Sequence, residues 1–295
     1  MKIIEPKVEL IPFNGNCIEH VAKCARVCYG KENGNNEHLY NALNENKHWS
    51  MFRHETYYSA INTTKENSLI FEALAGYQHC PYINYVTYKD KIYIVTNGNF
   101  LRDIVKDNPF LFHLIYDNQI DTKEAENIDF VWNYLMRYTF KVTTQISTSR
   151  ELNRVSPNNI AERSTRYVYE DGTICKPYWM SDEEVEIINK CNSNTETLIY
   201  NDKINTKAFR YISQCKSSFD NYKDLIDIED MPREDARGVL PLDTATECIY
   251  TYSIKKWRNI IDLRYYGTTG KPHPNAYIIA KMIKEQLEQL GYDFR

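Results

Sequence analysis

The sequence predicts a mixed helix-and-strand chain of the α+β kind, and three observations carry this. Stretches rich in β-formers with alternating apolar and polar residues recur at 7–13, 56–62 and 138–145. Helical stretches lie between and after them, at 18–28, 35–46, 206–225 and 276–290. No G-x-G-x-x-G and no G-x-x-x-x-G-K-[ST] occurs among the ten glycines, so neither a Rossmann fingerprint nor a P-loop is present.

The elements follow in order. Lys7 to Phe13 alternates and reads as a first strand. Ile18 to Cys28 places Ile18, Val21, Ala22, Ala25 and Val27 near one helical face, with Arg26 as a surface arginine or a ligand contact. Asn35 to Asn46 is a second helix, and Thr56 to Asn62 a strand. Residues 63–130 hold helical stretches around Leu69–Gly76 and Phe100–Lys106, with a hairpin of Ile83–Tyr88 and Lys91–Thr96 between them. No Pro-, Gly- or Ser-rich linker flanks this region, so 1–295 reads as one domain with 63–130 as an elaboration. Tyr138 to Gln145 is a strand that feeds a short helix at Ser149–Asn153. Pro157-Asn158-Asn159 breaks that helix, and an extended exit follows at Thr165–Val168. Ile174 to Trp179 reads as a short strand. Ser181 caps a helix opening on Asp182-Glu183-Glu184, where acidic groups suit the helix dipole. The last helix ends at Gly291.

With 295 residues, 42% hydrophobic and 26% charged, the composition is that of a soluble globular protein. A net charge of −4 argues against general nucleic-acid binding, which needs a basic face. No run approaches the ~20 apolar residues of a membrane helix. The opening MKIIEPKVEL lacks the apolar core of a secretory signal. The eight cysteines are scattered, with no C-x-x-C pair and no histidine at zinc-site spacing. They read as reduced thiols of a cytoplasmic protein, and no metal site is expected.

The most informative stretch is Ser149 to Tyr167. Arg150, Glu151, Arg154, Glu162, Arg163 and Arg166 alternate in sign there, and serines, asparagines and a threonine fill the gaps. Such a segment is either a solvated charged loop or a platform that aims guanidinium groups and hydroxyls at one anion.

Its ending, Glu162-Arg163-Ser164-Thr165-Arg166-Tyr167, resembles the Glu/Gln-x-Ser-x-Arg-Tyr end of the signature of the flavin-dependent thymidylate synthases, the ThyX family. Its start, Ser149-Arg150-Glu151-Leu152, resembles that family's Ser-His-Glu-Leu at ungapped spacing. Between them the family carries Arg-His-Arg, where this chain has Arg154, Val155 and Ser156. His48, Ser50 and His54 resemble a His-x-Ser-x-x-Glu-His element, with Arg53 in place of Glu. Ala25 to Tyr29, Ala236 to Pro241, Trp257 to Arg264 and His273-Pro274 resemble further family segments, so the likeness runs along nearly the whole chain.

The resemblance implies a mainly antiparallel sheet flanked by helices, in a homotetramer whose sites draw Arg237 and Arg166 from different chains. It implies reductive methylation of dUMP to dTMP with methylenetetrahydrofolate and NADPH through FAD. Arg166, Arg237 and Arg264, with Ser164, would meet the nucleotide phosphate. Glu162 and Glu151 would hold the nucleotide, and Arg237 would face charge developing on the uracil carbonyls. On the flavin side the resemblance places His54, Arg154, Val155, Ser156 and Asn259. Val155 donates no hydrogen bond and Ser156 carries no charge, so Arg53 and Arg150 are the candidate replacement cations. Two further readings stay open: another pyrimidine nucleotide or a hydroxymethyl product, and a non-catalytic nucleotide-binding paralogue.

Overall fold

The computed structural model describes residues 1–63, 67–154, 159–191 and 204–294. Two four-stranded antiparallel sheets and a two-stranded parallel pair organise it, flanked by helices. The α+β class and the mainly antiparallel pairing expected from the sequence are both present.

The principal sheet has the order β2-β7-β10-β8, built from Lys7–Ile11 (β2), Arg137–Gln145 (β7), Ala245–Ser253 (β10) and Ile160–Glu162 (β8). β7 and β10 pair along their whole length, from Ala245 opposite Gln145 to Ser253 opposite Arg137. One face packs Phe140, Val142, Cys248, Tyr250 and Tyr252 against Trp257, Ile260, Ile279 and Ile283. Those partners come from the helices Ile254–Ile261 and Pro274–Gln289. The other face sets Ile11, Ala161 and Ile249 against Cys24 and Val27 of the first helical segment. That helix, α1 (Cys17–Arg26), continues as a tight turn over Val27–Tyr29 and stops at Gly30, whose φ of 60° suits a residue without a Cβ.

The second sheet has the order β4-β5-β3-β6, from Ile83–Tyr88 (β4), Lys91–Thr96 (β5), Tyr57–Asn62 (β3) and Gln119–Ile120 (β6). The hairpin lies at Ile83–Tyr88 and Lys91–Thr96, as expected from the sequence. β3 pairs on its two sides with β5 and β6, both from residues 63–130. The parallel pair joins Lys2–Ile4 (β1) to Thr173–Cys175 (β9).

Several expectations are corrected. The strand expected at Lys7–Phe13 ends at Ile11, where Pro12 closes β2, and a separate strand, β1, precedes it on the far side of Pro6. The extended exit at 165–168 is instead a turn, in which the Tyr167 and Val168 amides donate to the Ser164 carbonyl. The pairing residues lie earlier, at β8. The strand at Ile174–Trp179 shrinks to β9, since Pro177 starts a turn that the Met180 amide closes. Arg26 is buried and donates to the Gly34 carbonyl at 2.8 Å, so it is not a surface arginine. The helices Asn36–Glu45 (α2), Asp182–Lys190 and Thr206–Asp227 match expectation, and Ser181 forms a capping box with Glu184. No helix among the described residues is long and apolar enough to cross a membrane, and all eight cysteines are free thiols.

Candidate functional site

Three groups of side chains surround the end of β7 and the strand that follows it. The helix α7 (Ile146–Asn153) leaves β7 directly, and its residues at four-residue spacing share a face. Ser149 and Asn153 therefore both reach Glu162 of β8. Ser149 Oγ donates to Oε1 at 2.8 Å, Asn153 Nδ2 to Oε2 at 3.4 Å, and Thr246 Oγ1 to Oε1 at 3.4 Å. The carboxylate is thus held in a fixed orientation by three neutral donors.

The last turn of α7 carries the second group. Arg264 Nε and one terminal nitrogen donate to the Glu151 carbonyl at 3.0 and 2.6 Å. A guanidinium fork on the free carbonyls of a helix C-terminus satisfies both hydrogen bonding and the dipole. Arg154 pairs with the Glu151 carboxylate at 3.4 Å and is largely exposed. Arg264 is therefore anchored to α7. Val155 and Ser156 lie outside the described residues.

The turn after β8 forms the third group. The Ser164 amide donates to the Cys28 carbonyl at 3.1 Å, and the Arg166 amide to Ser164 Oγ at 3.3 Å. Arg166 sits beside Tyr167, whose ring stacks on Tyr29 with centroids 5.5 Å apart. Arg237 donates to Thr165 Oγ1 at 3.2 Å. Ser164, Arg166 and Arg237 of one chain are thus brought together at the surface.

The flavin-side candidates divide. Asn259 lines a cavity of about 340 Å³ with Pro81, Asn84, Arg137, Asn159, Tyr252, Lys255 and Lys256. Three buried polar atoms on this lining, Arg137 Nε, Asn159 Oδ1 and the Tyr252 hydroxyl, have no hydrogen-bond partner among the described residues. Unpaired buried polar groups are costly, so such atoms mark a place where something else completes the bonding. Burial brings the Arg137 guanidinium down to about 10, which still leaves it charged at neutral pH. Lys256 is lowered by burial as well. The cavity is cationic and of a size suited to part of a small-molecule ligand.

His54 does not line this cavity. It is fully buried, and Nδ1 bonds Thr251 Oγ1 at 2.7 Å. Thr251 Oγ1 bonds Thr139 Oγ1 at 2.8 Å, which in turn bonds His20 Nε2 at 3.0 Å. Thr251 also exchanges two bonds with Asn159, donating its amide to the Asn159 carbonyl and accepting from Asn159 Nδ2. His54 thus supports the cavity wall from behind. Of the two proposed replacement cations, Arg53 lies 4.8 Å over the Tyr82 ring and its carbonyl accepts from Arg137, while Arg150 is exposed on α7.

Sequence reasoning missed Arg137, Asn159, Tyr252, Lys255 and Lys256. The available signal was the run Ser253-Ile254-Lys255-Lys256, in which a serine caps a helix at the end of a strand and two lysines occupy its first turn.

Residues 135–290 match the family model described as thymidylate synthase complementing protein. A flavin-dependent thymidylate synthase of Kosmotoga olearia is 29% identical over 128 residues, 43% of this chain. The match covers 53% of that protein, so the chain spans about half the length of the curated relative it matches. Among solved structures, the UMP/dUMP methylase PolB of Streptomyces cacaoi aligns in complexes with 5-Br dUMP and 5-Br UMP. Identity is 16% and the TM-score 0.43 in both, covering 98% of this chain and 93% and 92% of those.

Proposed function

The chain belongs to the thymidylate synthase complementing protein family, the flavin-dependent ThyX synthases, and from that premise we propose that it is a cytoplasmic enzyme converting dUMP to dTMP, with methylenetetrahydrofolate as carbon donor and NADPH as reductant. The cavity beside Asn259 is the observation that supports a flavin most directly. Its unsatisfied Arg137 Nε can donate to a carbonyl oxygen or a phosphate, and Asn159 Oδ1 can accept from an imide N–H. A flavin offers all three kinds of group. When bound, it supplies the hydride chemistry. The protein's own part is to position and to stabilise charge.

In this reading Arg137, Lys255, Lys256 and Asn259 hold the cofactor, and Arg154, Val155 and Ser156 are assigned to it by the family resemblance alone. Replacing two charge-assisted contacts costs about 1.5–3 kcal/mol each. Three cations in the cavity offset that loss. Arg166 and Ser164 bind the nucleotide phosphate. Arg237 faces a uracil carbonyl, where a guanidinium lowers the cost of developing negative charge. Glu162, fixed by Ser149, Asn153 and Thr246, accepts from the nucleotide, and Glu151 does so with its carbonyl tied by Arg264. His54 is a positioning residue that acts through Thr251 and Asn159. The assembly is a homotetramer, checked by light scattering.

The decisive experiment is the visible spectrum of the purified protein with and without FAD and dUMP, followed by mass analysis of the nucleotide product. Flavin bands and a methylated product support the reading. A hydroxymethylated product or turnover of another pyrimidine nucleotide would shift it to altered chemistry. A protein that binds dUMP yet takes up no flavin would make it a nucleotide-binding paralogue.

A further inference from the structure

Neither Arg166 nor Arg237 stands open to a ligand. Arg166 Nε and one terminal nitrogen lie 2.9 and 2.8 Å from the same carboxylate oxygen, Oε2 of Glu234. Arg237 Nε donates to the backbone carbonyl of that same Glu234 at 3.0 Å. One residue of the short helix Arg233–Ala236 therefore occupies one guanidinium fork and restrains the other. Both side chains of the ion pair are about half exposed, at 51% and 50%. A third cation adjoins them: Arg233 donates to the Tyr167 carbonyl at 2.9 Å and lies over the Tyr169 ring. Three arginines thus lie where the helix Arg233–Ala236 meets the turn that follows β8, and Arg166 is the one that pairs with the Glu234 carboxylate.

We propose that Glu234 is an internal stand-in for phosphate: an exchangeable carboxylate that must leave Arg166 before an anionic ligand can bind, and that makes the site demand a phosphate rather than a neutral nucleoside. This deepens the nucleotide reading above and rests on it. A carboxylate and a phosphate both present anionic oxygens that a guanidinium fork can grip. The exchange is feasible because an exposed ion pair is weak, so a phosphate dianion, which carries more charge than a carboxylate and also meets the Ser164 hydroxyl beside Arg166, wins the competition. A neutral nucleoside has nothing with which to displace the carboxylate. The competing explanation is that Glu234 serves its own helix, as an acid in the first turn. That role predicts a small loss of stability on substitution and no change in anion affinity.

The test is calorimetric titration of wild type, Glu234→Gln and Glu234→Ala with dUMP, inorganic phosphate and deoxyuridine, with circular dichroism confirming the fold of each. Both variants are expected to bind dUMP and phosphate about two- to fivefold more tightly, the range set by an exposed pair. The gain shrinks as salt is raised and is absent for deoxyuridine. It also vanishes when Arg166→Ala is combined with Glu234→Gln, because the fork that was released is gone. Unchanged or weakened phosphate affinity in both variants overturns the proposal. The two readings fail separately. If dUMP binds wild type and Glu234→Gln equally, the stand-in role falls and the nucleotide site survives. If phosphate affinity rises in the variant while dUMP binds neither form, the stand-in role survives and the nucleotide reading falls.

Discussion

Glu55 has no exposed surface, and its neighbours account for its tolerance there. Arg102 donates to Oε2 at 2.5 Å, Tyr40 OH to Oε1 at 2.7 Å and Tyr57 OH to Oε2 at 3.1 Å. Gly98 is what makes room, since a Cβ at that position would lie 1.6 Å from Glu55 Oε2 and 2.3 Å from the Arg102 guanidinium. Gly98→Ala should therefore break a buried ion pair and cost about 3 kcal/mol, read as a lowered urea midpoint. A loss under half that size would mean the pair relocates freely. The two buried histidines give a pH prediction. Burial lowers His54 to about 3, helped by the positive charges of His20, Arg137 and Arg53, and it lowers His20 to about 4, helped by Arg137 and Lys23. Unfolded histidine titrates near 6.5, so below that value the unfolded chain binds protons that the native state refuses. Stability contributed by neutral burial is complete above about pH 6.5 and is lost as pH falls towards 4, by ~1.4 kcal/mol per unit for each histidine. The melting temperature should drop between pH 7 and 5, and His54→Gln should flatten that slope even though it also lowers the plateau. An identical slope in the variant would exclude His54 as a source.

Elements differ in how plainly the sequence announces them. The β4–β5 hairpin was legible because two six-residue runs rich in β-formers flank Lys89-Asp90, and Lys89 takes the left-handed φ of 54° that the turn needs. The central strand β10 was not legible as a strand. Cys248, Tyr250 and Tyr252 enter one core while Ile249 enters another and Thr251 is buried with it, so no polar face marks the period. The helices Pro109–Tyr116, Thr122–Glu126 and Asp129–Tyr134 were missed for opposite reasons: the first is apolar nearly all round, and the other two are too short to show a period. The site divides in the same way. Ser164, Arg166 and Arg237 could be found because a contiguous pattern carries them. Arg137, Asn159 and Tyr252 come from three separate segments that only sheet register brings together, and no local spacing records that. The hairpin matters to the site because Pro81 and Asn84 line the cavity and Arg53 lies over the neighbouring Tyr82 ring. Tyr82→Ala releases that cation–π contact and loosens one wall. It should weaken flavin binding about three- to tenfold with little change in thermal stability, as followed by quenching of flavin fluorescence. Equal flavin affinity in variant and wild type would show that the hairpin is a bystander.

At the scale of the whole molecule, the question is what joins two sheets with separate cores. Trp132 and Tyr138 pack against both the principal core and the core under β3 and β5. The chain's C-terminal segment locks them in place. The Tyr292 ring stacks on Trp132 with centroids 4.8 Å apart and planes 7° from parallel. Its hydroxyl bonds Tyr138 OH at 2.8 Å and the Trp132 carbonyl at 2.9 Å, while Trp257 Nε1 donates to the Tyr138 carbonyl at 3.1 Å. A residue near the C-terminal end therefore joins the segment before β7 to the helix after β10. Tyr292→Phe keeps the ring and removes the hydroxyl, which should cost about 1 kcal/mol. Tyr292→Ala also opens a cavity between the two cores and should cost about 3–5 kcal/mol. Because the same side chain serves both cores, the larger change should do more than lower the urea midpoint. It should lower the cooperativity, so that amides of β5 exchange with deuterium ahead of those of β10, whereas in wild type the two strands exchange together. If the strands stay synchronous in Tyr292→Ala, the joint must lie in the contact of the turn Trp49–His54, which leads into β3, with β10 rather than in the aromatic clamp, and Thr251→Val, which cuts the bond from β10 to His54, becomes the variant that uncouples them.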